Sequence, residues 1–288
     1  MKIGVTGCTG LIGRPLVQRL LENGHQVYGI SNSKKCTIYH PRHKCQQLDL
    51  LDNKIKSLPF PSEIECLVHT AWSVEPGNFW NSEKNFFWAS KSFELISNTV
   101  QSNSTFVVSL GSCAEYEWPA DGLIRESTPL NPDTKYGKAK KALFEALVNS
   151  NLELLWPRIF FMYDGVDQAG KFLNYLHNSY INDLQPLIKN PEMKVDYVSI
   201  HDVAETLCTL ISLRRLGVFH IGTGVGISNL ELAQLMKVAI GASQSPIFNL
   251  GRKNQVSVVA DTSKLNEFVR VGEFRLIQNE VISFYKIG

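Results

Sequence analysis

The opening of the chain carries the pattern that most restricts its fold. Lys2–Thr6 reads as a short strand, Gly7-Cys8-Thr9-Gly10-Leu11-Ile12-Gly13 follows, and Leu11–Asn23 reads as a helix with Leu16, Val17, Leu20 and Leu21 on one face. Pro15 sits in the first turn of that helix and Gly24 follows its end, the arrangement expected at helix boundaries. Three glycines between a strand and a helix allow a tight turn. They also let backbone N–H groups and the positive helix end approach an anion. The competing reading is a tight strand–helix turn that holds nothing.

The rest of the chain repeats the alternation. His25–Ile30, Gln46–Leu50, Ile64–Ala71, Thr105–Gly111 and Leu152–Arg158 read as strands, with helical stretches near Trp80–Gln101 and Lys135–Ser150. Such alternation predicts an α/β fold, a doubly wound parallel sheet of the Rossmann type, with ligands outside the carboxyl ends of the strands. After Ile159 the pattern loosens. Val195–Ile200 and Gly217–Ile221 read as strands, His201–Leu213 as a helix, and Ser228-Asn229-Leu230-Glu231 as a capping box that opens another. The expected division is a dinucleotide-binding domain over 1–161 and 195–224, and a smaller C-terminal α/β substrate lobe over 162–194 and 225–288.

Composition removes several function classes. The 288 residues are 44% hydrophobic and 19% charged with a net charge of +2, which gives no reason to expect a nucleic-acid or membrane partner. A strand beginning directly after Met1-Lys2 leaves no room for a signal peptide, so a cytoplasmic location is expected. The six cysteines, Cys8, Cys36, Cys45, Cys66, Cys113 and Cys208, are scattered without a CxxC pair. Free thiols are expected, with no metal and no disulfide framework.

If the glycine loop holds a pyrophosphate, the end of the second strand faces the adenosine ribose. Ile30-Ser31-Asn32-Ser33-Lys34-Lys35 has no carboxylate there, and its hydroxyl, amide and ammonium donors suit a 2′-phosphate. NADP, as NADPH, is therefore favoured over NAD. A solvated loop is the alternative. Asp49-Leu50 could cap the adenine, or Asp49 could simply start a loop.

Tyr136 and Lys140, four apart, share one face of a helix. A phenol titrates near 10, and a nearby ammonium lowers that value, which makes the phenol usable as an acid–base group. Ser112 lies just past a strand end, where its hydroxyl could meet a substrate oxygen or form a turn.

Together the loop at 7–13, His69-Thr70-Ala71, Asn85, Ser112, Tyr136, Lys140, Arg158, Asp196–Ala204 and Ile221-Gly222-Thr223-Gly224 resemble the ordered motifs of the extended short-chain dehydrogenases. That family comprises nucleotide-sugar epimerases, dehydratases and ketoreductases. The resemblance implies Ser112, Tyr136 and Lys140 as the catalytic group. It further implies Thr70, Ala71, Trp72, Asn85, Pro157, Arg158 and Ile159 as cofactor contacts beside the loop residues Gly7, Thr9, Gly10, Leu11, Ile12 and Gly13. For the substrate it implies Ser73, Ser112, Cys113, Phe160 and Phe161. A homodimer through the helices near 80–101 and 136–150 is the assembly it suggests.

Two reactions of the family are disfavoured. Its 4,6-dehydratases carry Asp-Glu after the serine or threonine, where this chain has Cys113-Ala114, and its 3,5-epimerising members resemble one another in a cysteine where this chain has Ala114. Reduction of a 4-keto-deoxysugar nucleotide, with Tyr136 as proton donor, is the simplest remaining reading. Pro246–Leu265 looks most like the corresponding segment of CDP- or dTDP-4-keto-deoxysugar reductases. A nucleotide-sugar 4-epimerase using NAD(P) is the second reading, and a redox-sensing module that holds NADP without turnover is the third. The substrate lobe departs from the family at Phe161, Asp164 and Val195. Arg252 and Lys253 could replace the usual diphosphate clamp or lie in a solvated loop. Trp72, Phe160 and Tyr163 line the sugar pocket or belong to the core.

Overall fold

The computed structural model describes residues 1–32, 36–73, 79–100, 105–164, 171–248 and 256–285. The first half runs β1 (Lys2–Thr6), α1 (Gly13–Glu22), β2 (Gln26–Ser31), β3 (His43–Gln47), β4 (Cys66–His69), α2 (Lys84–Thr99), β5 (Phe106–Ser109), β6 (Gly111–Ser112), α3 (Lys135–Val148) and β7 (Leu154–Ile159). The second runs β8 (Phe161–Tyr163), α4 (Lys171–Ile181), β9 (Leu187–Ile188), β10 (Lys194–Ser199), α5 (Ile200–Ser212), β11 (Gly217–Ile221), β12 (Gly226–Ser228), α6 (Asn229–Ile240), β13 (Ile247–Phe248), β14 (Ser257–Val258) and α7 (Ile277–Tyr285).

The large sheet has the order β11-β7-β5-β4-β1-β2-β3, with β6 beside β7. β1 pairs in parallel with both β2 and β4, so the chain winds outward from β1 in two directions. The point where the order reverses lies between β1 and β4, and the loops that follow those strands open there. The strands β1, β2, β4, β5 and β7 are nearly continuous runs of buried residues, as expected for a parallel sheet covered by helices on both faces. Edge strand β3 is mostly exposed. It starts earlier than the expected Gln46–Leu50 because its register with β2 is set by Val27 opposite His43 and Gly29 opposite Cys45.

The chain divides into two compact units, one of Met1–Glu117, Pro129–Arg158 and Ala204–Phe219, the other of Trp118–Thr128, Ile159–Val203 and His220–Gly288. The second has its own sheet, in which β10 pairs with β8, β12 and β14. That pairing is why the strand near 195, expected in the dinucleotide domain, falls in the second unit instead. The unit's core gathers Leu173, Leu176, Tyr197, Leu232, Met236 and Val281. The Asp196 and Gly222–Gly224 motifs are joined here: the buried Asp196 carboxylate accepts from Thr223 N (2.9 Å), Thr223 Oγ1 (2.7 Å), Gly224 N (3.0 Å) and Ala260 N (3.2 Å). The capping box at Ser228 and Glu231 has both its hydrogen bonds, and Gly241, at φ 73°, ends α6.

One expectation changes at this level. The cysteines that look scattered along the chain are not scattered in space: Cys8, Cys36 and Cys45 gather with His43, all four ligand atoms lying within 4.8 Å of one another.

Candidate functional site

The loop between β1 and α1 is closed too tightly for side chains. Gly7 has φ 68°, and a Cβ on Gly13 would sit 2.1 Å from Gly7 O. Helix α1 has no side-chain cap and no acidic residue in its first turn, so its positive end is available to an anion. These features fit a dinucleotide pyrophosphate, with Gly7, Gly10 and Gly13 forming the cradle. Thr9, Leu11 and Ile12 lie in the same loop, Leu11 with its side chain largely exposed.

The catalytic candidates converge within the first unit. Ser112 ends β6 and Tyr136 lies in the first turn of α3, whose start is capped by the Thr134 hydroxyl accepting from Gly137 N at 3.0 Å. The Ser112 hydroxyl hydrogen-bonds the Tyr136 side chain. The Lys140 ammonium is buried one turn further on. It donates to Leu110 O at 2.9 Å and lies 3.7 Å from the centre of the Trp72 ring. Trp72, Phe79 and Trp80 surround the phenol ring edge-on, with centroids 6.2, 5.3 and 5.7 Å away.

Burial dominates the titration of this group. It pushes the Tyr136 phenol well above its ordinary value, against the pull of the Ser112 hydrogen bond. The expected lowering by an adjacent ammonium is outweighed by burial, and Lys140 is turned to Leu110 O and the Trp72 face. Lys140 itself is pushed down to about 7 by burial, with Glu115 opposing. His69 is pushed down to about 3, first by burial and then by Lys140, and stays neutral between Thr6 Oγ1 (2.9 Å) and Ser92 Oγ (2.8 Å).

The depressed Lys140 value has a measurable consequence. Between pH 7 and its ordinary value of 10.5 the unfolded chain holds a proton on this lysine that the folded chain lacks. Its contribution to stability therefore rises with pH across that window and is at its worst below it. Lys140→Met should stabilise the ligand-free fold by on the order of a few kcal/mol near pH 7 and by progressively less toward pH 10.5. Denaturant melts at a series of pH values check this, and a pH-independent difference would contradict the burial of a titrating lysine.

Several residues expected at the cofactor also make contacts within the protein. Buried Asn85 accepts from Trp72 Nε1 at 3.0 Å and donates to Phe79 O and to Ser82 O, so its amide fixes the aromatic wall. Thr70 donates to Thr6 O at 2.7 Å, and Ala71 N reaches Thr6 Oγ1 at 3.4 Å. Ser73 is half-buried after β4. Asp49 accepts from Leu51 N at 3.0 Å, the loop-starting alternative, and Leu50 belongs to the core. Ser31 is buried with its hydroxyl 4.0 Å from Cys45 Sγ, while Asn32 is exposed. Ser33, Lys34 and Lys35 lie outside the described residues, as do Arg252 and Lys253.

Pro157, Arg158 and Ile159 are buried in β7. Arg158 is anchored inside the unit: its Nε lies 2.7 Å from Glu115 Oε2 and its Nη1 is 2.6 Å from the Tyr116 hydroxyl, while its buried Nη2 has no hydrogen-bond partner among the described residues. Among the substrate candidates, Cys113 is buried in the turn that follows Ser112. In the second unit, Phe160 packs edge-on against His220 at 5.3 Å, and half-buried Phe161 lies near Trp118 and Tyr197.

The sequence reading passed over Glu115 and the pair Phe79 and Trp80. Glu115 is fully buried and accepts from Ser112 N (2.8 Å), Trp156 Nε1 (3.1 Å) and Arg158 Nε (2.7 Å). Its signal was present, because Ser112-x-x-Glu115 is a capping box, and both of its hydrogen bonds form.

No helix among the described residues is long and apolar enough to cross a membrane. Residues 3–222 match the NAD dependent epimerase/dehydratase family. The dTDP-6-deoxy-L-talose 4-dehydrogenase (NAD(+)) of Aggregatibacter actinomycetemcomitans is 26% identical over 249 residues, covering 78% of this chain and 85% of that protein. The UDP-glucose 4-epimerase of Streptococcus mutans is 23% identical, covering 84% of this chain and 82% of its own. Among solved structures, the UDP-glucuronic acid 4-epimerase from Bacillus cereus, in complex with UDP-glucuronic acid and NAD, superposes with a TM-score of 0.79 at 19% identity, over 99% of this chain and 98% of that one.

Proposed function

Because the chain belongs to the NAD dependent epimerase/dehydratase family, and is thus an enzyme of the nucleotide-sugar epimerase/dehydratase type, we propose that it interconverts ketone and alcohol at C4 of a nucleotide-linked deoxysugar. The observation that carries this reading is the joining of Ser112, Tyr136 and Lys140 in one cluster against Trp72, just past the carboxyl end of β4. Ser112 positions the sugar oxygen, and Tyr136 delivers its hydroxyl proton to that oxygen in reduction or removes it in oxidation. Lys140 supplies the positive charge that favours a phenolate once the proton has left. Trp72, Phe79 and Trp80 keep water from the phenol. When bound, the nicotinamide supplies the hydride.

Nothing at the positions after Ser112 equips the site for loss of water from the sugar, since Cys113 and Ala114 carry neither acid nor base and both are buried. The neighbouring carboxylate, Glu115, is committed to Arg158.

We read the cofactor as NAD. The talose 4-dehydrogenase relative is described with NAD(+), and the Bacillus cereus 4-epimerase structure is a complex with NAD. NADP remains the second reading, supported by the absence of a carboxylate in Ser31–Lys35. The 4-epimerase reading is favoured by the several 4-epimerases among the relatives.

One assay separates these readings. The purified enzyme is given a dTDP- or CDP-4-keto-6-deoxy sugar with NADH or NADPH, and nicotinamide absorbance and sugar products are followed together. Stoichiometric NADH loss with formation of the 4-hydroxy sugar is expected. A tenfold preference for NADPH, worth about 1.4 kcal/mol, would overturn the cofactor assignment. Interconversion of 4-epimers without net loss would establish the epimerase, and binding without any turnover would leave a dinucleotide-holding module.

A further inference from the structure

Four side chains that play no part in the sugar chemistry meet beneath the phosphate loop. Cys8 comes from the loop itself, Cys36 from the β2–β3 connection, and His43 and Cys45 from β3. His43 and Cys45 are two apart on a strand and therefore share a face. All four ligand atoms lie within 4.8 Å of one another, with Cys8 Sγ and Cys45 Sγ 3.5 Å apart. A tetrahedral ion with Zn–S bonds of about 2.3 Å sets its sulfurs about 3.8 Å apart, so the cluster already has nearly the required size.

Two further features point to an ion and not to a chance group of thiols. First, His43 Nδ1 lies 3.1 Å from Ile38 O, while Nε2 is buried without a hydrogen-bond partner on the side of the thiols. A ligating histidine is held in this way, with one ring N–H on a backbone carbonyl and the other nitrogen free for the metal. Second, the space is kept open by a glycine opposite Cys45. A Cβ on Gly29 would lie 2.7 Å from Cys8 Sγ and 3.0 Å from His43 Nε2.

We infer that Cys8, Cys36, His43 and Cys45 form a closed Cys3His site for zinc(II) that ties the phosphate loop to the edge of the large sheet. Three thiolates and one imidazole are a soft, four-coordinate donor set with no open position, which suits a structural ion and leaves no place for substrate. On binding, three S–Zn bonds and one N–Zn bond form, the thiol protons pass to solvent, and no electron is transferred. The site is independent of which sugar or dinucleotide the enzyme uses.

The test is metal content and coordination in the full-length protein. Protein purified under reducing conditions, loaded with zinc chloride and passed over a weak chelator should keep about one zinc per chain. Cobalt(II) in its place should give thiolate-to-metal charge transfer and the strong visible bands of a tetrahedral ion. Cys36→Ser and His43→Ala should each weaken zinc binding at least about 100-fold, since loss of even an outer partner of a ligand costs 10–100-fold. Cys208→Ser, a thiol outside the cluster, should keep the metal, and circular dichroism shows which variants fold. The wild-type cobalt spectrum decides the matter even where a ligand variant does not fold. Failure of the reduced wild type to retain zinc, unchanged zinc binding in folded Cys36→Ser and His43→Ala, or a Cys8–Cys45 disulfide that zinc does not prevent would each overturn the site.

Discussion

Tyr136→Phe is expected to lower kcat by about 10²–10⁴-fold, the usual worth of a positioned proton donor, while dinucleotide affinity changes by no more than a few-fold. The ring makes its edge contacts with Trp72, Phe79 and Trp80 through carbon atoms that phenylalanine keeps. What disappears is the hydroxyl and its hydrogen bond with Ser112. Burial keeps the phenol protonated at neutral pH and makes it a weaker acid than a free phenol, so the variant removes a proton donor that must be activated in the complex. Steady-state kinetics with dinucleotide titration separates the two effects. Substantial turnover by a folded Tyr136→Phe enzyme would remove the proposed donor, whereas loss of turnover together with dinucleotide binding would point to a collapsed aromatic wall.

The features legible in the sequence are those set by near neighbours along the chain. The glycine loop, Tyr136 and Lys140 one turn apart, and the capping box at Ser228 depend on local geometry, and each is found where its spacing placed it. Side-chain destinations were less legible because they depend on partners far away in the chain. Arg158 has the length and charge to reach a ligand, but it meets Glu115 across 43 positions. Asn85 turns back to Trp72. The cysteines illustrate the same limit. No spacing rule joins Cys8 to Cys45 across 37 positions; the parallel β1–β2 and β2–β3 registers together do. The division near residue 195 was also invisible locally, since a β10 that reads as a buried strand suits either sheet.

Removal of Glu115 should produce the largest loss of stability. Its carboxylate is fully buried and serves three donors at once: the backbone of Ser112, the Trp156 indole and the Arg158 guanidinium. Glu115→Ala strands a buried guanidinium, a defect that costs about 3–5 kcal/mol. With a sensitivity of about 2–4 °C per kcal/mol for chains of this size, the melting temperature should fall by roughly 6–20 °C. Glu115 also holds the backbone N–H of Ser112, so the surviving folded enzyme should lose kcat more than substrate affinity. The double variant Glu115→Leu with Arg158→Met removes both charges. It should recover most of the lost stability, because an ion pair replaced by apolar groups is often close to neutral. It should not recover kcat, because Ser112 still lacks its acceptor. Thermal melts of the two single variants and the double, with kinetics well below the transition, test both halves. A Glu115→Ala loss under about 1 kcal/mol would mean that the Arg158 charge is satisfied elsewhere, and recovery of kcat in the double variant would mean that Ser112 is positioned without Glu115.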